Sequence, residues 1–122
     1  MEVRWRAIAE VDVYVRGVLE REASEIPTVL IESHPWRQVP DLALSDLHVD
    51  ESMVARHDDT ALHQRRRDGF IALVTTGKPL LPLIALGCER HLVDGYARLR
   101  ALRKLGVDAA SVIIQVGPDS RS

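Results

Sequence analysis

The chain has 122 residues, of which 46% are hydrophobic, enough to bury the core of one domain. A formal net charge of -2 at pH 7 excludes an overall basic, nucleic-acid-binding surface, and a single cysteine excludes an internal disulfide. The N-terminus lacks an apolar run of signal-peptide length, and no stretch reaches the ~20 apolar residues of a membrane span. These features predict one soluble, cytoplasmic domain over residues 1–122, without a membrane partner.

Residues 1–40 are predicted to form an extension before the core. Apolar residues recur at helical spacing from Trp5 to Glu22, which predicts an amphipathic helix, although the valines between positions 11 and 15 also alternate as in a strand. The short apolar run from Ile26 to Ile31 resembles a strand. Trp36 to Pro40 is predicted to be a loop.

The predicted core, residues 41–117, begins with a strand and a turn between Leu42 and Val49. A polar patch follows, in which Asp59 or Thr60 is suited to cap the N-terminus of a long helix. Gly77 marks the end of this helix. Its expected apolar face consists of Leu62, Phe70, Leu73 and Val74.

The second half of the core has the sharpest pattern, with two extended runs joined by a turn, then a helix and a closing strand. These elements are Leu80–Leu86, Gly87–Arg90, His91–Val93, a helix between Asp94-Gly95 and Gly106, and Val112–Val116. The basic residues of this helix, Arg100, Arg103 and Lys104, are expected to face outward. The tail, residues 118–122, is expected to fray. The whole pattern predicts an α+β fold with a small mixed β-sheet and packed helices.

The candidate chemical motif is the loop Asp94-Gly95-Tyr96-Ala97-Arg98, between a strand and a helix. A helix N-terminus offers unpaired N–H groups and a partial positive charge, and glycine allows close approach of a ligand. Arg98 adds a guanidinium group that matches phosphate oxygens. Asp94 could cap the helix or help to hold a divalent cation.

From Leu42 to Val116 the order and spacing of these elements resemble the ParB N-terminal domain and sulfiredoxin-like superfamily. In that superfamily a Gly-x-x-Arg box holds nucleotide phosphates: ParB proteins bind CTP, sulfiredoxins bind ATP, and free serine kinases use Asp-Gly-x-x-Arg. Asp94, Gly95 and Arg98 match the kinase form of the box. Tyr96 stands where sulfiredoxins have the reactive cysteine, which argues against sulfinic acid repair.

The resemblance implies a Mg²⁺-dependent phosphotransferase that acts on a small hydroxylated metabolite. The phosphates of ATP, ADP or CTP would lie against Gly95, Tyr96, Ala97 and Arg98. Asp94 would hold Mg²⁺ and assist catalysis, and Glu51 would be the base for the acceptor hydroxyl.

The alternative function is a non-catalytic, nucleotide-binding regulatory or DNA-partitioning module. No helix-turn-helix follows the Arg98 helix in this sequence, so such a module would reach nucleic acid only through a partner protein. A third interpretation predicts the fold alone and assigns no function. The N-terminal helix could pack on the sheet or support a homodimer.

Other candidate residues have simpler interpretations. His57 and His63 are six residues apart, a poor spacing for metal ligands on one helix, so a solvated surface is favoured. Arg65–Arg67 would spread around a helix rather than form a single patch. Trp36 could cover a nucleotide base but more simply anchors its loop. Cys88 is expected to be an inert thiol in a turn.

Overall fold

The computed structural model describes residues 1–117, and the predicted frayed tail lies outside them. The helices are α1 (Val11–Glu22), α2 (Thr28–Glu32), α3 (Glu51–Asp58), α4 (Ala61–Thr75) and α5 (Tyr96–Lys104), with a 3-10 turn at Leu44–Asp46. The strands are β1 (Trp36–Ala43), β2 (Leu83–Leu86), β3 (His91–Asp94) and β4 (Ala109–Gln115). The α+β fold with a small mixed sheet is therefore confirmed. Within residues 1–117 no helix is both long and apolar enough to cross a membrane.

The four strands form one sheet in the order β1-β4-β2-β3. Strand β4 is antiparallel to β1 and parallel to β2, and β2 is antiparallel to β3. The parallel pair requires a crossover, which β3 and α5 provide. Because α5 begins directly after β3, the Asp94–Arg98 loop lies at one end of the sheet.

Apolar residues cover both faces of the sheet. On one face, Val112 and Ile114 of β4 pack with Leu99 and Leu102 of α5. On the other face, Ile84 and Ile113 pack with residues of α1 and α2, namely Val15, Val18, Leu19 and Ile31. Burial on both faces explains why β2 and β4 are apolar almost throughout rather than alternating.

The predicted loop at Trp36–Pro40 is wrong, because these residues begin strand β1. The sheet therefore starts inside the segment predicted as an extension. Pro40, which suggested a loop, is tolerated because β1 is an edge strand and its pairing with β4 shifts register between Val39 and Leu42. The predicted strand at Ile26–Ile31 is also wrong, because α2 occupies Thr28–Glu32 after Pro27.

The predicted N-terminal helix is confirmed only from Val11 onward. Trp5 instead forms a parallel bridge with Leu80, and Leu80 N–H donates to Arg4 O at 2.9 Å. The N-terminal segment thus pairs with the backbone just before β2. This pairing is between distant residues, so the helical spacing of the apolar side chains did not reveal it.

The long helix predicted after Thr60 is confirmed as α4, but its apolar face is not fully buried. Leu62 and Leu73 are exposed, whereas Val74 is buried. Thr60 makes no side-chain capping bond. The separate helix α3 was not predicted; Asp50 caps it by accepting hydrogen bonds from Ser52 N–H and Met53 N–H, both at 3.1 Å.

The prediction that Arg100 faces outward is wrong, because its side chain is only 1% exposed. Arg100 Nε donates to Asp58 Oδ1 at 2.7 Å, and Arg100 Nη1 donates to His63 O at 3.2 Å. These bonds hold the junction between α3 and α4 against α5. The helix periodicity failed here because a salt bridge and a carbonyl offset the cost of burying most of the guanidinium. Within residues 1–117, Arg100 Nη2 is buried without a hydrogen-bond partner.

Candidate functional site

The loop at the start of α5 requires glycine at its centre. Gly95 is the N-cap of α5, with φ 105° and ψ 23°, in the left-handed region. A Cβ atom at this position would overlap Leu83 Cδ2. Within residues 1–117 no side chain caps α5, so the structure does not show the capping role considered for Asp94. The first N–H groups of α5 are left without an intrahelical partner.

Arg98 is buried and largely occupied by acceptors of the protein itself. Its Nη1 donates to Leu81 O at 2.6 Å and to Pro82 O at 3.0 Å, and its Nη2 donates to Asp94 Oδ2 at 2.9 Å. Its guanidinium carbon also lies 5.7 Å from the ring centroid of Phe70. Three of its five N–H donors are therefore used: two join the loop to the segment before β2, and the third binds Asp94 within the loop.

A cavity of about 370 Å³, here called the loop cavity, lies against this loop, and all five residues Asp94–Arg98 line it. Its other walls come from the end of α1, from α3 and from α4. Met53 and Phe70 give it apolar surface. Arg66 is an exposed cation on its wall, and Glu22 and Glu25 line the wall near α1.

His57 and His63, predicted to lie on a solvated surface, are both half-buried and line the loop cavity. Their rings stack with centroids 3.8 Å apart and an interplanar angle of 11°. The Tyr96 ring stands edge-on to His57 at 6.4 Å. The turn between α3 and α4 brings together two residues that a single helix would separate. The Asp59-Thr60 helix break was the sequence signal for this turn.

We predict that the free energy of unfolding falls as the pH decreases through the ordinary pKa of His57. Burial lowers the pKa of His57, and the neighbouring His63 and Arg100 lower it further. The unfolded chain then binds more protons than the folded one, so the free energy of unfolding should drop between about pH 7.5 and about pH 5.5. Urea unfolding at both pH values measures the drop.

In His57→Gln this drop should be smaller, whereas His34→Gln, at the other end of the sheet, should leave it unchanged. An equal drop in wild type and His57→Gln would contradict the prediction.

The pKa of Glu51 is lowered by its hydrogen bond from Arg103. The stability that Glu51 contributes is therefore lost only at more acidic pH, below its ordinary pKa of 4.5, which separates the two effects.

Glu51 is the predicted site residue that does not line the loop cavity. It is exposed at the first position of α3, and its two carboxylate oxygens accept hydrogen bonds from Arg103 Nη1 and Nη2, both at 2.8 Å. The preceding residue, Asp50, donates its N–H to Tyr96 Oη at 3.0 Å. The structure therefore brings the start of α3 to the loop, with the Glu51 carboxylate turned to Arg103.

In the part of the chain that the structure describes, no three His, Cys, Asp or Glu side chains are grouped to hold a metal ion. Asp94 Oδ2 accepts a hydrogen bond from Arg98 Nη2. A Mg²⁺ ion at Asp94 would thus take most of its ligands from water and from nucleotide phosphates, as Mg²⁺ commonly does.

The sheet order and the crossover through α5 define a small α+β domain with a mixed four-stranded sheet. Comparison with protein-family models, curated proteins and solved structures gives no match for this chain.

Proposed function

We propose that this chain is a nucleotide-binding protein whose loop cavity holds the phosphates of ATP, ADP or CTP. One observation carries the proposal: the residues Asp94–Arg98 all line a cavity that includes the N-terminus of α5. In the described part of the chain no side chain caps this helix, so the N–H groups of Tyr96, Ala97 and Arg98 are available to an anion. The helix dipole favours negative charge at the same point.

The other walls of the loop cavity suit the remaining parts of a nucleotide. Arg66 supplies a positive charge for phosphate oxygens. The stacked rings of His57 and His63 offer an aromatic edge or face for a base. Glu22 and Glu25 can accept hydrogen bonds from ribose hydroxyl groups.

The proposed relationship to the ParB and sulfiredoxin-like superfamily is supported by the strand, Asp-Gly loop and helix in the expected order. The contacts of Arg98 favour a different role from the phosphate contact that the resemblance implies. With Leu81 O, Pro82 O and Asp94 as its partners, Arg98 positions the loop. Backbone N–H groups and Arg66 would then make the main contacts to phosphate.

Isothermal titration calorimetry with ATP, ADP and CTP tests the proposal. Ala97→Glu should weaken nucleotide binding by about tenfold or more, because a carboxylate in the first turn of α5 repels phosphate. The same carboxylate is favourable for the helix dipole, so the fold should be unharmed. Ala61→Glu is the matched control, because it places the same charge in the first turn of α4, outside the loop cavity.

Two neighbouring arginines on α4 provide a second matched pair. Arg66→Gln should weaken binding, because Arg66 lines the loop cavity, whereas Arg65→Gln should not, because Arg65 does not line it. If none of the three nucleotides binds at about 1 mM, the proposed function is wrong. Equal binding by Ala97→Glu and wild type would rule out the N-terminus of α5 as the phosphate site.

The finer proposal is Mg²⁺-dependent phosphoryl transfer to a small hydroxylated metabolite, with Glu51 as base and Asp94 near the metal. Incubation with Mg²⁺, the bound nucleotide and a pool of such metabolites tests for turnover. Glu51→Gln should then abolish turnover while it leaves nucleotide affinity unchanged. Unchanged turnover would remove Glu51 from the mechanism.

The non-catalytic regulatory or DNA-partitioning module remains the second candidate, and the Glu51–Arg103 contact favours it. This contact lowers the pKa of Glu51, which weakens its carboxylate as a base, and Glu51 does not line the loop cavity. Nucleotide binding without turnover, in wild type and in Arg103→Gln, would assign this function.

A further inference from the structure

A second cavity, of about 620 Å³, lies at the other end of strand β3 from the loop cavity, and is here called the hairpin cavity. It lies where the parallel strands β2 and β4 end, at Leu86 and Gln115. The turn Gly87–Arg90 and the end of α2 complete its walls. The carboxyl ends of parallel strands often leave a crevice for a ligand, because the connections diverge there.

The hairpin cavity has an apolar lining on a firmly held frame. Leu30, Leu86 and Ile114 supply apolar surface. The buried side chain of Gln115 donates from Nε2 to Leu30 O at 2.8 Å and accepts at Oε1 from Gly87 N–H at 3.2 Å. Gln115 therefore fixes α2 against the hairpin turn, so the cavity is formed before any ligand binds.

Two arginines line the hairpin cavity. Arg37 and Arg90 line it together with His34 and His91, and no aspartate or glutamate lines it in the part of the chain described. The exposed Glu89 carboxylate lies beside the cavity, 3.2 Å from His91 Nε2. None of the salt bridges among residues 1–117 includes Arg37 or Arg90. Two arginines beside apolar surface, without a carboxylate to neutralise them, attract an anion.

Arg90 is also held in a backbone conformation that its residue type seldom adopts. Its φ is 57°, and within residues 1–117 it is the one non-glycine residue with positive φ. Its N–H donates to Gly87 O at 3.0 Å, and its carbonyl accepts from His48 N–H at 2.9 Å. Uncommon backbone conformations of this kind cluster at ligand sites.

We propose that the hairpin cavity binds an amphipathic organic anion. The anionic head group, a carboxylate or a phosphate monoester, pairs with Arg37 and Arg90, and the apolar body lies against Leu30, Leu86 and Ile114. The volume is in the range of small-molecule sites, about 300–1,000 Å³. This site is independent of the proposed nucleotide site, because the two cavities share no lining residue.

Titration of ¹⁵N-labelled protein with octanoate and with octyl phosphate tests this proposal by amide chemical shifts. The largest changes are expected at Gly87, Cys88 and Gln115, with none at Tyr96. Octanol, which has the same chain without the charge, should bind about tenfold more weakly. The head group that binds more tightly identifies the class of the natural ligand.

Two variants locate the positive charges. Arg37→Gln and Arg90→Asn should each weaken octanoate binding by about tenfold, and Asn is chosen because it tolerates positive φ. Arg65→Gln, a surface arginine outside the cavity, is the control, and Ala97→Glu should leave octanoate binding unchanged. The proposal fails if neither anion shifts these amides at about 10 mM, or if both arginine variants bind as tightly as wild type. Shifts centred on Tyr96 would also overturn it.

Discussion

Replacing Arg98 with methionine should lower the free energy of unfolding by about 3–5 kcal/mol, the usual cost of removing one partner of a buried ion pair. The guanidinium of Arg98 is buried and satisfies Leu81 O, Pro82 O and Asp94 Oδ2 at the same time. Methionine would fill similar space but would leave a carboxylate and two carbonyls without these donors. Urea unfolding followed by circular dichroism measures the change.

Arg103→Met is the matched control for this prediction. Arg103 lies in the same helix and makes hydrogen bonds of 2.8 Å to Glu51, but this pair is exposed to solvent. Solvent screening should limit the loss to about 1 kcal/mol or less. If Arg98→Met costs no more than Arg103→Met, then the contacts of Arg98 do not hold the loop. Its guanidinium would in that case be as free for phosphate as the family resemblance implies.

Gly95→Ala should destabilise the protein by about 2–4 kcal/mol, for two additive reasons. The left-handed φ of 105° disfavours any residue with a Cβ, and the added Cβ would overlap the fully buried side chain of Leu83. Thermal and urea unfolding of the variant measure the loss. Nucleotide binding should weaken as well, because the loop must move to relieve the overlap.

Gly106→Ala separates these two reasons. Gly106 also has a positive φ, of 75°, but a Cβ there would meet nothing within 4 Å. Gly106→Ala should therefore lower the free energy of unfolding only through the unfavourable positive φ, by about 1 kcal/mol. Equal losses for the two variants would show that packing against Leu83 does not determine the identity of residue 95.

The sequence predicted the elements after Leu80 well because each one is marked by a local signal. The hairpin turn begins at a glycine, Asp94-Gly95 precedes α5, and Gly106 follows it. Gly95 was placed correctly between a strand and a helix for the same reason, and Arg98 lies in the first turn of that helix. The earlier elements were harder to predict. Trp36–Pro40 and Ile26–Ile31 are short, and their residues favour neither a helix nor a strand strongly.

The partners of the candidate site residues could not be predicted in this way. Periodicity and helix breaks are local, so they indicate where a strand, a turn or a helix begins. Two of the three acceptors of Arg98 are carbonyls 16 and 17 residues away, and the carboxylate that holds Arg100 is 42 residues away. Which buried charge meets which acceptor depends on how the packed helices and the sheet bring distant segments together. The Asp-Gly loop can therefore be recognised from the amino acids alone, whereas the use of Arg98 to hold that loop follows from packing.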